Sequence, residues 1–99
     1  MIHTFKGFYS ECEFRQFNFG AQIDWEKYRI SHQARTLKIR EMDDWLFALI
    51  GAAVYVPPAH TYRIVELNDN SWARKHYESW STYAFMDMQH LIAFKMRFS

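Results

Sequence analysis

The stretch that most constrains this fold runs from Asp43 to Pro58: adjacent carboxylates Asp43 and Asp44, an apolar run from Trp45 to Val56, and the pair Pro57–Pro58. At helical rise the run reaches about 18 Å, well short of a hydrocarbon core of about 30 Å, so a membrane span is not expected. Asp43 or Asp44 suits the free N–H groups of a first helical turn, and Pro57 disfavours helical backbone at Val56. The pattern predicts a helix over this stretch, apolar on most sides and covered by other elements. Gly51 is the place where that helix can end early, leaving Ala52–Val56 as a strand.

A chain of 99 residues makes one domain, 1–99, long enough to bury a core without staples. Its hydrophobic content of 49% and its 9 Phe, 6 Tyr and 4 Trp place it among globular chains. Net charge is only +1, so no overall field drives the chain onto nucleic acid or an anionic membrane. The single cysteine, Cys12, allows no internal disulfide, and the opening residues MIHTFKGFYSE lack a basic segment followed by an apolar one. A cytoplasmic setting is expected.

Residues 2–9 and 12–19 read as a β-hairpin, with Phe14 on one face, Phe17 and Phe19 on the other, and both faces covered. From Trp25 to Met42 period-two alternation (Tyr28, Ile30; Leu37, Ile39) predicts two more strands with a turn over residues 32–35, the alternative being a helix through residues 24–35. Residues 61–67 alternate again. Trp72, His76, Trp80 and Tyr83 then fall at helical spacing behind Asp69 and Asn70 as candidate caps, predicting a second helix. Ile92, Phe94, Met96 and Phe98 close the chain with the pattern of a strand. The predicted class is α+β, a single compact domain with a mainly antiparallel sheet of five or six strands and two helices packed against it.

Chemistry is sparsely marked. No spacing of His, Cys or carboxylates matches a metal site, no glycine-rich loop marks a cofactor, and Cys12 sits between Glu11 and Glu13, whose charge suppresses the thiolate. Neither metal nor cofactor is expected; His60 reads as a loop residue, His76 as a core-edge residue, and His90, three residues after Asp87, is placed for a local hydrogen bond. The most specific surface feature is a basic set, Lys27, Arg29, Arg35, Lys38 and Arg40, against one acidic residue, Glu26, over positions 26–40. On two neighbouring strands Lys27, Arg29, Lys38 and Arg40 would share a face able to hold phosphates, with His32 and Arg35 in the turn. Such a face is more often merely solvated, since Lys and Arg discourage edge-to-edge aggregation.

The reading that ranks first is a small non-enzymatic binding or inhibitory protein acting through protein–protein contacts, in the style of phage and mobile-element proteins that block host machinery. A protein partner is expected, with no membrane association and a homodimer as one arrangement. Second is nucleic-acid binding by Lys27, Arg29, His32, Arg35, Lys38 and Arg40.

Overall fold

The structure is a computed structural model that describes residues 2–6, 16–55 and 66–98. The elements follow the order β1 (Ile2–Lys6), β2 (Phe19–Asp24), α1 (Trp25–Tyr28), α2 (His32–Ile50), β3 (Trp72–His76), β4 (Trp80–Phe85) and α3 (Met88–Phe98). Strands β2, β4 and β3 are antiparallel neighbours, and β1 completes the edge in the order β1-β2-β4-β3. The fold is α+β, but the expected five or six strands and two helices are corrected to this four-stranded sheet and three helices among the described residues.

The largest correction is α2. Strands were expected at Tyr28–Ile30 and Leu37–Ile39, yet one helix runs from His32 to Ile50. Ser31 starts it, its Oγ accepting from Ala34 N at 3.1 Å. The buried Met42 and Leu46, with Ile39 and Ile50 packed against the same core, recur at helical spacing straight through the acidic pair. Asp43 therefore sits inside the helix rather than at its start. Gly51 ends it with φ +111° and an N–H bond to Phe47 O at 2.9 Å, and residues 53–55 are not a strand. The helix is also less enclosed than its composition suggests, with Leu37, Phe47 and Leu49 exposed.

Two further predictions are overturned. The helix expected over Trp72–Tyr83 is the β3–β4 hairpin, closed by Tyr77 N donating to Trp80 O at 2.8 Å. A spacing of four fits both the 3.6 and the 2.0 period, so Trp72 and His76 share a strand face as readily as a helix face. The closing strand is helix α3, whose buried residues are Leu91, Phe94 and Phe98. Asp87 opens that helix by accepting from Gln89 N at 2.8 Å.

β1 and β2 do pair antiparallel, but Lys6 lies opposite Phe19, so the second strand starts where the expected one ended. Phe17 and Phe19 reach different clusters rather than one face: Phe17 packs with Ala73 and Ala84, and Phe19 packs against the main core. The main core lies between the sheet and the helices α2 and α3. At its centre Phe94 stands 4.8 Å from Tyr83, 5.7 Å from Phe85 and 5.4 Å from Phe98, between ring centroids. Cys12, His60 and residues 61–65 of the strand expected over 61–67 lie outside the described residues, and Glu66 and Leu67 are not in a strand.

Candidate functional site

Two polar sites flank the β3–β4 hairpin. The first joins α2 to the sheet. Asp43 Oδ2 accepts from Arg74 Nε at 2.7 Å and lies 3.4 Å from His76 Nε2, while Oδ1 accepts from the Tyr83 hydroxyl at 2.8 Å. On its far side His76 places Nδ1 2.7 Å from Ser81 Oγ, and Trp25 Nε1 donates to the same oxygen at 2.7 Å. An indole N–H only donates, so the Ser81 oxygen accepts from Trp25, and it keeps both a proton and a second lone pair with which to meet His76 Nδ1. A carboxylate only accepts, so the proton of the contact between His76 and Asp43 sits on Nε2.

Burial pushes the Asp43 carboxyl up, but bonds from His76 and Tyr83 and the charge and bond of Arg74 outweigh it and hold the group below the ordinary carboxylate range. Burial first, then the adjacent Asp43 charge and hydrogen bond, push the Tyr83 phenol well above its ordinary value. Asp43, His76 and Ser81 stand in the sequence of a hydrolase relay, yet Ser81 is 0% exposed and its oxygen is closed off by Trp25. An acyl group has no route to that oxygen. The arrangement anchors α2 to the sheet.

The second site is an open cleft of about 420 Å³ lined by Gln22, Asp24, Glu26, Lys27, Ser79 and Trp80. Asp24 faces Trp80 across the β2–β4 ladder, and Gln22 faces Thr82. By strand alternation these residues point away from the face of Ile23 and Ser81, which belongs to the main core side. Asp24 also caps α1, its Oδ1 accepting from Glu26 N at 3.1 Å, and Ser79 Oγ donates to Glu26 Oε1 at 3.2 Å. Trp80 stacks on Tyr77 at 4.8 Å and 25°, which holds the indole plane in place.

The six residues singled out from the sequence do not form a strand face. Lys27 lies on α1 at the cleft, and Arg29 is the left-handed residue that ends α1, with φ 52°. His32 opens α2. Arg35 donates through Nη1 to Glu78 O and through Nη2 to Tyr77 O, with its guanidinium 5.5 Å from the Trp25 ring centre. Lys38 Nζ lies 3.9 Å from Glu41 Oε2 and 5.3 Å from the Phe98 ring centre, and Arg40 is exposed. The basic face is thereby corrected: these side chains are spread around two helices, and Arg35 ties α2 to the hairpin tip.

The sequence reading missed Asp43, Arg74 and Tyr83 as one cluster, and Asp24, Glu26 and Trp80 as one cleft. Only the acid at Asp43, inside a helical apolar period, offered a local signal. Among the described residues no group of three His, Cys, Asp or Glu side chains is placed to hold a metal ion, and no helix is long and apolar enough to cross a membrane. No protein-family model, curated protein or solved structure matches the chain.

Proposed function

We propose that the chain is a non-enzymatic binding domain that docks on a partner protein through α3 and blocks the surface it covers. The observation that carries this reading is the ridge Met88, Ile92 and Met96, at i, i+4 and i+8, with exposures of 46%, 48% and 79%. Leu91, Phe94 and Phe98 bury the neighbouring face of the same helix, so the ridge is presented on a backbone fixed by the core. Unbranched methionines adapt to irregular apolar surfaces, and a rigid helix loses little entropy on docking. α3 contains Lys95 and Arg97 and no acidic residue, and Arg97 Nη2 lies 3.5 Å from Glu41 Oε1 of α2, which ties the helix to its neighbour.

The reading of binding over turnover is supported by the sealed Ser81 and by an Asp43 carboxylate already occupied by Arg74, His76 and Tyr83. The test is capture from extracts of the source cell with tagged wild type, the double variant I92E/M96E, and F47E as a control on the exposed face of α2. A stoichiometric partner is expected with wild type and F47E and lost with I92E/M96E, all three keeping one thermal midpoint. Capture unchanged by I92E/M96E, or no stoichiometric partner at all, removes the proposal.

A further inference from the structure

The cleft at the hairpin tip is a different surface from the α3 ridge, because its strand residues Gln22, Asp24 and Trp80 belong to the sheet face opposite the one α3 packs on. Its chemistry is specific. One wall is the Trp80 indole, 39% exposed and held by its stack on Tyr77. Around it lie Asp24 and Glu26, the Gln22 amide and the Lys27 amine. One oxygen of each carboxylate is engaged locally, Asp24 Oδ1 by Glu26 N and Glu26 Oε1 by Ser79 Oγ. Among the described residues no hydrogen bond involves Asp24 Oδ2, Glu26 Oε2, the Gln22 amide or Lys27 Nζ.

We infer that this cleft binds an arginine side chain from an extended peptide segment. A guanidinium is planar and weakly hydrated: it stacks on an indole face while its edge donates to carboxylates, and no other side chain combines the two. The Trp80 plane and the outer oxygens of Asp24 and Glu26 supply those two complements in one cleft. Gln22 adds an amide on the sheet floor able to bond the peptide backbone. The same pairing of guanidinium and indole already occurs within the chain, where Arg35 lies 5.5 Å from the Trp25 ring centre. Lys27 stands at the cleft too, and Lys75 lies 5.6 Å from the Tyr77 ring centre on the neighbouring strand. With two carboxylates against one lysine in its lining, the cleft is net acidic, and the long lysine stem lets its charge swing into solvent. A volume of about 420 Å³ accommodates one guanidinium and the backbone that carries it.

The experiment titrates the full chain with a capped Gly-Arg-Gly peptide, following the indole N–H resonances, against the same peptide carrying citrulline, a neutral isostere. The arginine peptide is expected to shift the Trp80 signal and to bind at least about tenfold more tightly than the citrulline peptide, since charge-assisted bonds are lost with the isostere. D24N/E26Q, which keeps the cap and the Ser79 bond, is expected to abolish the difference, whereas I92E/M96E leaves it unchanged. Equal binding of both peptides, no response at Trp80, or a shift produced only by a neutral disaccharide overturns the assignment. Because I92E/M96E separates the surfaces, failure here leaves the α3 reading standing, and failure there leaves this one.

Discussion

The Tyr83 hydroxyl reaches from the central strand β4 to the middle of α2 and donates to Asp43 Oδ1 at 2.8 Å. Tyr83 is otherwise wrapped in the core beside Phe94, so its one polar atom is delivered to a carboxylate that Arg74 and His76 hold from the other side. The bond fixes how far along the sheet α2 can lie, because sliding the helix by a turn would leave a buried phenol without an acceptor.

Tyr83→Phe should therefore cost about 2 kcal/mol of unfolding free energy at neutral pH, the usual worth of a hydrogen bond to a charged group. Urea denaturation read by tryptophan fluorescence measures it. An unchanged midpoint would show that the bond contributes nothing net.

The acid limb of stability follows from Asp43. Its folded-state pKa lies below the ordinary value of 3.8, so its contribution is fully present above that value and is lost as the pH falls through the depressed folded one. The thermal midpoint of the wild type should drop on acidification below about pH 4. Asp43→Asn should begin lower and flatten this limb. Tyr83→Phe, by removing one bond that favours the carboxylate, should move the limb to higher pH.

How far the fold can be read from the chain depends on which period dominates locally. Gly51 could be read as a helix stop because few other residues adopt its backbone. The length of α2 could not, because Leu37 and Ile39 alternate with Lys38 and Arg40 and only the spacing of Ile39, Met42, Leu46 and Ile50 shows the helix. Ile92, Phe94, Met96 and Phe98 alternate as well, but three of that helix's buried contacts come from Leu91, Phe94 and Phe98. The alternating residues that do not bury, Ile92 and Met96, are those now proposed as the docking ridge. The cleft had no local signal at all: it joins residues 22–27 to Ser79 and Trp80, and only the β2–β4 register brings them together.

Ser81 gives a prediction that separates anchoring from catalysis. Ser81→Ala leaves the buried Trp25 Nε1 without its acceptor and the part-buried His76 Nδ1 without its hydrogen-bond partner, and should destabilise by about 2 kcal/mol. A fluorophosphonate probe should leave the wild-type serine unlabelled in the native state. Labelling at Ser81 under native conditions would contradict the sealed geometry.

Gly51→Ala isolates backbone conformation from packing. A Cβ built there meets nothing within 4 Å, so no clash contributes, and the cost comes from φ +111° with ψ −166°, a region side chains avoid. A loss of about 1–3 kcal/mol is expected with the core unchanged, checked by urea denaturation and by the near-ultraviolet dichroism of the tryptophans. The carbonyl of this residue also accepts from Trp72 Nε1 at 2.7 Å, so a larger loss would mean that this bond shifts with the backbone.

Arg35 connects the two polar sites. Its guanidinium donates to the Tyr77 and Glu78 carbonyls at the hairpin tip and lies over Trp25, whose indole N–H in turn holds Ser81. Lysine has the charge but not the fork, and it cannot reach both carbonyls while stacking on the ring. Arg35→Lys should therefore cost about 1–2 kcal/mol, with Arg35→Ala costing more. Since Tyr77 and Trp80 close that tip, amide exchange at residues 77–80 should accelerate in Arg35→Lys beyond what global destabilisation explains, while α3 keeps its protection. Uniform acceleration across both elements would show that Arg35 supports the whole fold and not the tip.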